Sequence, residues 1–220
     1  MFLKICGLTT ADAALHAVEH GATALGFVLW PRSPRFVSRD DVARIVAQLP
    51  ATVTTVGVFV NESSDEIART MERTNLTAIQ LHGDEPATYG ETLAWPILRS
   101  VTIATASRLA LEWSDDTTLL LDAADPDRRG GTGTQVDWEA AAALARKHRL
   151  VLAGGLTPEN VAEAIAVVRP YGVDVSSGVE DAPGVKNPGL MSTFLARARK
   201  AMMSESLDTV GHHPKGAVEK

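Results

Sequence analysis

The sequence predicts an α/β protein, a single-domain (β/α)₈ barrel of the TIM type, and three observations carry that prediction. Short apolar runs alternate with amphipathic helical patterns from end to end, the order of repeated βα units. Eight such runs, each followed by a helical pattern, make the count for a closed barrel. Polar and glycine residues gather directly after the apolar runs, at the strand ends where such barrels carry their sites. Alternation alone leaves an open doubly wound sheet as the other arrangement. A chain of 220 residues with 45% apolar side chains suits one large domain with a sizeable core.

Each element has a local reason. Residues 2–6 (FLKIC) form the first strand, and Thr9 or Thr10 caps a helix that stops at Gly21. The second strand, 24–29, runs into a loop at 30–37 that holds two prolines together with Arg32 and Arg35; Ser38 then caps a helix through Leu49. A third strand spans 53–60, and Ser63 opens a helix with Ile67 and Met71 on one face. The fourth strand, 76–81, ends at His82-Gly83, with a helix from about Pro86, and the fifth, 97–101, precedes a helical pattern at 106–113. Three leucines at 119–121 read as a strand buried on both faces that stops abruptly at Asp122. A polar segment with Gly130, Gly131 and Gly133 leads to Asp137, the N-cap signal for a helix over 138–148.

The seventh strand, 150–153, ends at Gly154-Gly155. Thr157-Pro158-Glu159 then supplies an N-cap, a proline at the first helical position and a first-turn acid. The eighth strand, 173–175, ends in Ser176-Ser177-Gly178, and a last helix runs from near Pro188 to about Met203. No internal repeat or interdomain linker interrupts the pattern. The barrel is expected over 1–203, and residues 204–220, polar with glycine, proline and paired histidines, are expected to be an unstructured tail.

Composition narrows the function. Against 27 acidic residues stand 21 basic ones, a net charge of −6 with no basic cluster long enough to grip a phosphodiester backbone, so nucleic acid is excluded as a partner. One cysteine excludes an intramolecular disulfide and a cysteine-based zinc site, and points to a reducing cytosol. The apolar run at the amino terminus is too short for a signal peptide and no segment reaches transmembrane length, so a cytoplasmic protein without membrane partners is expected.

The strand ends present Cys6, the loop with Arg35, Asn61, His82, Asp122, Gly154-Gly155 and Ser176-Ser177-Gly178, and a closed barrel would bring them to one rim. Asp122 is a carboxylate above a glycine-rich loop, either an active-site acid or the start of a turn. Small residues at Gly154, Gly155, Ser176, Ser177 and Gly178 let backbone N–H groups approach a phosphate, although two ordinary turns would use the same residues. Cys6 is either a small buried hydrophobe or, with a lowered pKa, a thiolate base or nucleophile. His82 is either a substrate-binding residue or a hydrogen-bonded strand end. Arg32 and Arg35, in a proline-stiffened loop, either offer a carboxylate the planar fork that bonds both its oxygens or are two solvated charges.

Several motifs together resemble the phosphoribosylanthranilate isomerase family. They are KICG at 4–7, GFVLWPRSPRFVS at 26–38, VGVFVN at 56–61, IQLHGDE at 79–85, LLLDA…GGTG…DW at 119–138, LAGGLTPENV at 152–161 and DVSSGVEDAPGVKN at 174–187. They keep their order over about residues 2–200. Val136 stands where the family usually has phenylalanine, and Asn187 where it usually has aspartate. The resemblance implies an isomerase of tryptophan biosynthesis. It converts N-(5-phosphoribosyl)anthranilate to 1-(o-carboxyphenylamino)-1-deoxyribulose 5-phosphate by an Amadori-type rearrangement, with no metal or organic cofactor.

The same resemblance implies Asp122 as general acid on the ribose ring oxygen, Cys6 as general base at C2 of the sugar, and Arg35 on the anthranilate carboxylate. The acid has to keep a proton near neutral pH and the thiol has to lose one, so opposite shifts are expected on one rim. The partner is then a phosphorylated small molecule, with the protein a monomer or a homodimer. Two rivals are weighed. The sister sugar-phosphate isomerase of histidine biosynthesis uses two aspartates, against which Cys6 and the SPR segment at 33–35 speak. A barrel that binds a phosphorylated ligand without turnover has no need of both Cys6 and Asp122.

Overall fold

The computed structural model describes residues 1–123 and 136–210, with side chains described through 205. Eight parallel strands close into a barrel in sequence order: β1 (Phe2–Cys6), β2 (Ala24–Val28), β3 (Thr54–Phe59), β4 (Ala78–Leu81), β5 (Ile97–Val101), β6 (Thr118–Leu121), β7 (Leu150–Leu152) and β8 (Gly172–Val175). The closing seam pairs β1 with β8, with Lys4 opposite Asp174. An open sheet is thereby excluded. Around the barrel lie α1 (Ala11–Glu19), α2 (Arg39–Val46), α3 (Ser64–Thr74), α4 (Tyr89–Thr92), α5 (Ile103–Glu112), α6 (Trp138–Ala145), α7 (Val161–Val168) and α8 (Pro188–Val210).

Strand side chains alternate between two faces, which divides the core in two. Outward-facing Leu3, Ile5, Leu25, Phe27, Ile79, Leu81, Leu119 and Leu121 pack under the helices. Inward-facing Ala24, Val56, Ala78, Leu98, Leu120, Val151 and Ala153 form a separate cluster on the barrel axis, closed below by Phe2. Much of that inner set is small, and the volume it leaves holds three polar side chains, Lys4, Gln80 and Asp174, all buried.

Side-chain caps start α1, α2, α3 and α6, and Asn187 Oδ1 accepts from Leu190 N at 2.9 Å at the start of α8. Thr10, Ser38, Ser63 and Asp137 accept the N–H groups of Ala13, Asp41, Glu66, and Glu139 with Ala140, respectively. Each cap is worth about 1 kcal/mol.

Four details depart from the sequence reading. The helix expected from Pro86 is the single turn α4, which starts only at Tyr89, and Thr88 before it makes no side-chain cap. The helix expected from Pro158 starts at Val161. Asn160 Oδ1 accepts from Thr157 N at 2.8 Å and its Nδ2 donates to Gly155 O at 2.9 Å, local bonds that compete with a helical turn. An antiparallel hairpin, β9 (Glu180–Ala182) and β10 (Val185–Lys186), follows β8 where no strand was expected. Finally α8 runs to Val210, beyond the helix end expected near Met203, and Glu205 within it pairs with Arg169 at 2.8 Å. Residues 211–220 lie outside the described residues, as do Gly130, Gly131 and Gly133.

Outside the barrel wall, the loops after β3 and β4 are fastened to β5. Glu85 Oε1 accepts from Asn61 N at 2.7 Å, and Glu85 Oε2 accepts from Gly83 N at 2.9 Å and Arg99 Nη1 at 2.7 Å. Arg99 also donates to the carbonyls of Leu81 and Gly83, and its guanidinium lies 5.6 Å over the Trp113 ring. The Arg99 and Glu85 side chains are 4% and 1% exposed, so this pair lies beyond the reach of solvent screening. Asn61 holds a left-handed backbone (φ 54°), and its Oδ1 accepts from Asp84 N at 2.6 Å. Within the motifs VGVFVN and IQLHGDE, Asn61, Gly83, Asp84 and Glu85 thus form a structural clasp. Removing one partner of a buried ion pair leaves an uncompensated charge. Arg99→Met should therefore lower stability by about 3–5 kcal/mol, read as a lower urea midpoint at unchanged slope.

Candidate active site

Period-two alternation aims Phe2, Lys4 and Cys6 of β1 at the barrel axis, and likewise Gln80 with His82, Leu120 with Asp122, and Asp174 with Ser176. Cys6, His82 and Asp122 therefore converge at the carboxyl ends of β1, β4 and β6. Gly26, opposite Cys6 in the register of β2, makes room for it: a Cβ there would stand 2.7 Å from Cys6 Sγ and 3.1 Å from Lys4 Cε.

Beneath this rim runs a chain of polar contacts. Lys4 Nζ donates to Asp174 Oδ1 at 3.1 Å and to Gln80 Oε1 at 2.9 Å. An ammonium only donates, so the Gln80 oxygen faces Lys4 and its amide nitrogen faces His82 Nδ1, 3.0 Å away. His82 Nδ1 is then an acceptor, which puts the ring proton on Nε2, 3.7 Å from Asp122 Oδ2. Asp122 Oδ1 accepts from Ala123 N at 2.8 Å. Lys4, Gln80 and Asp174 are functional candidates that the sequence reading missed. The available signal was a lysine on the inward face of an otherwise apolar strand.

Electrostatics follow from this packing. Burial opposes charge on Lys4, yet Asp174 and Cys6 together hold its ammonium above the ordinary lysine range. Burial pushes the Cys6 thiol up, and the carboxylate of Asp174 adds to that, against the opposing pull of Lys4 and Lys186. Without a ligand the thiol therefore stays protonated at neutral pH, in contrast to the lowered pKa that a thiolate requires. Burial, helped by the neighbouring Lys4 charge, takes His82 down to about 4, so its ring is neutral at pH 7.

Arg35 is buried at the foot of its loop, and Glu180 of β9 receives its fork. Nε donates to Oε1 at 2.9 Å and Nη2 to Oε2 at 2.7 Å. Lys186 of β10 donates to the same Glu180 Oε1 at 2.7 Å and to Ser176 O at 3.0 Å. Burial works against it, but the Arg35 fork and Lys186 keep the Glu180 carboxyl below its usual range. The unpredicted hairpin thus links Arg35 to Ser176. Arg32 is exposed, with its guanidinium 5.5 Å over the Trp30 ring.

Gly154 and Gly155 both have positive φ, 73° and 68°. A Cβ on Gly154 would meet Ala123 N at 2.7 Å, so the loop after β7 lies against the end of β6. A Cβ on Gly178 would lie 1.9 Å from Leu156 O, so the loops after β7 and β8 touch. Among the described residues, no protein acceptor takes the N–H groups of Gly155, Ser177 or Gly178.

The depressed pKa of His82 has a sign that can be checked. A ring at about 4 when folded and near 6.5 when unfolded contributes its full stability above pH 6.5 and loses it as pH falls toward 4. The difference in unfolding free energy between wild type and His82→Gln should shrink by about 3 kcal/mol from pH 7 to below pH 4. Parallel urea-midpoint curves for the two proteins would show that the ring is not held neutral.

Comparison with known proteins places this geometry. The family described as N-(5'phosphoribosyl)anthranilate (PRA) isomerase matches residues 3–197. The N-(5'-phosphoribosyl)anthranilate isomerase of Citrifermentans bemidjiense is 45% identical over 199 residues, covering 90% of this chain and 97% of that protein. The crystal structure of phosphoribosyl anthranilate isomerase from Thermotoga maritima superposes with a TM-score of 0.84 at 39% identity, covering 91% of this chain and 99% of that one. A phosphoribosyl anthranilate isomerase solved in complex with reduced 1-(o-carboxyphenylamino)-1-deoxyribulose 5-phosphate superposes with a TM-score of 0.81 at 38% identity, covering 91% and 99%.

Proposed function

The chain belongs to the N-(5'-phosphoribosyl)anthranilate isomerase family, an enzyme of tryptophan biosynthesis, and from that premise we propose how its own residues divide the reaction. The rearrangement opens the ribose ring of N-(5-phosphoribosyl)anthranilate and moves a proton from C2 of the sugar. An acid and a base at one site are therefore required. Asp122 is the acid: it gives a proton to the ring oxygen as the C1–O bond breaks, leaving a protonated Schiff base to the anthranilate nitrogen. Cys6 is the base: its sulfur takes the C2 proton, and the C–H electron pair forms the enolamine double bond and neutralises the iminium nitrogen. The enolamine then tautomerises to the ketone.

One observation carries this division: the chain's single cysteine and Asp122 both end inward-facing strand positions on the same rim, joined by the chain through Lys4, Gln80 and His82. The raised thiol is consistent with it, because the cationic Schiff base forms only after ring opening. Its positive charge lowers the thiol pKa, so that the thiol proton passes to solvent water before the thiolate takes the C2 proton. The base is thus armed by the step before it. The phosphate is assigned to the loops after β7 and β8. The N–H groups of Gly155, Ser177 and Gly178 and the close approach allowed by Gly154 support that reading. The carboxylate is assigned to Arg35, whose plane Glu180 fixes through two of its five N–H groups, leaving others to meet an anion.

Cys6→Ser and Asp122→Asn should each keep the fold and lower kcat by about 10²- to 10⁴-fold, because each removes a proton-transfer group. A folded Cys6→Ser enzyme with near wild-type turnover would remove the base assignment. Arg35→Met should weaken binding of a carboxylated substrate analogue by roughly ten- to a hundred-fold, the worth of one charged bidentate bond. An analogue lacking the carboxylate should bind both proteins alike. Equal losses for the two ligands would restrict Arg35 to holding the Glu180 hairpin.

A further inference from the structure

The acid and the base share one support. Lys4 is 0% exposed, and its ammonium donates to two side chains, Asp174 at 3.1 Å and Gln80 at 2.9 Å. The Cys6 thiol lies beside it on the same face of β1, both lining the space at Gly26. A lysine in this position has an ordinary reading, an ion pair filling the barrel core with Asp174. That reading leaves two features without a purpose. The ammonium also faces the thiol across the space freed by Gly26, and its second acceptor is the amide that sets the tautomer of His82.

We propose that Lys4 is the positioning residue of this site: its ammonium is the counter-charge that receives the Cys6 thiolate, and through Gln80 it fixes the ring proton of His82 on the side facing Asp122. The proposal deepens the acid–base reading above and rests on it for its meaning in catalysis.

The groups facing Cys6 make the sign definite. Lys4 from the same strand, Lys186 from β10 and Arg35 from the loop after β2 are cationic, and Asp174 from β8 is anionic. Lys4 is the strongest of these influences on the thiol, and it favours the charged form. Glu180 engages both Lys186 and Arg35, whereas Lys4 answers to Asp174 and Gln80. When Cys6 gains a negative charge, Lys4 is the cation on its own strand that receives it. In the other direction the logic is one of donors. If Lys4 no longer demands the Gln80 oxygen, the amide is free to turn, and His82 Nδ1 can then carry the proton in place of Nε2.

The chain has one cysteine, so alkylation by iodoacetamide reports Cys6 alone. Labelling rates measured from pH 7 to 10 follow the thiolate fraction, and a rise of one pKa unit slows them about tenfold at a given pH. In Lys4→Met the rate should fall by about tenfold or more. The ascending limb of the kcat–pH profile should move to higher pH, with KM little changed. A loosened core would expose the thiol and speed labelling, which is the opposite sign. If Lys4→Met does not fold, Lys4→Met/Asp174→Leu replaces both buried charges by apolar volume, and labelling should still slow because Lys4 outweighs Asp174 at Cys6.

Gln80→Met leaves the ammonium in place. It should change labelling by less than about threefold, half a pKa unit. At the same time it should lower kcat and shift the nitrogen NMR signals of His82 away from the single Nε2–H tautomer. A folded Lys4→Met enzyme that labels at the wild-type rate or faster overturns the counter-charge role. An unchanged His82 tautomer in Gln80→Met overturns the second. Turnover by Cys6→Ser would instead remove the base reading while leaving the labelling shift intact, so the two failures are distinguishable.

Discussion

A charged lysine on the axis of a barrel is costly to bury, and the protein meets that cost at the seam where its sheet closes. Lys4 and Asp174 are register partners on β1 and β8, the first and last strands. Desolvating an ammonium is unfavourable by several kcal/mol unless an opposite charge and hydrogen bonds replace the lost water. Both are present: a carboxylate oxygen at 3.1 Å and an amide oxygen at 2.9 Å. The small inward-facing residues Ala24, Gly26, Ala78 and Ala153 leave the volume in which this pair and Gln80 sit. Closure, inner packing and the polarity of the floor of the site are therefore one arrangement.

The barrel separates this inner polar chain from an outer one. Glu85, Arg99 and Asn61 lie behind the wall and hold the loops after β3 and β4. Five hydrogen bonds from Asn61 N, Gly83 N and the two Arg99 Nη groups fasten these loops, so the backbone that presents His82 is braced before any ligand arrives. Inside, the chain Asp174–Lys4–Gln80–His82 carries a direction, because each donor dictates the role of the next group. Outer stiffness places the ring, and inner directionality sets where its proton lies.

The hairpin of β9 and β10 makes a third arrangement, over the rim. Glu180 is held between Arg35 and Lys186, and Lys186 reaches the carbonyl of Ser176. A loop that follows β2 is tied in this way to residues that follow β8, two strands flanking β1. Three charges in partial burial are stabilised by mutual pairing, and the same pairing orders the side proposed to meet the substrate's carboxylate.

Much of the architecture is legible in one dimension. Strand-length apolar runs bounded by glycine and by Ser, Thr and Asp caps locate all eight strands, since burial on both faces leaves an apolar signature and capping needs only local bonds. The strand ends likewise mark Cys6, His82 and Asp122, because a chain turning out of a buried strand must change to polar residues. Other features depended on contacts between distant parts of the chain. Lys4 reads as an interruption in FLKIC until Asp174, 170 residues later, lies beside it. Arg35 reads as a free cation until the hairpin supplies Glu180, and Glu180-Asp181 gives no strand signal of its own. The thiol of Cys6 shows the same division. Residue type makes it a candidate base, but its charge state is set by burial and by Lys4, Asp174 and Lys186, which only the closed barrel assembles. Periodicity and capping act over a few residues, whereas desolvation and ion pairing act between neighbours in space. The sequence by itself determined where the strands end and which groups they carry; the tertiary structure decided which of those groups are charged and what each one touches.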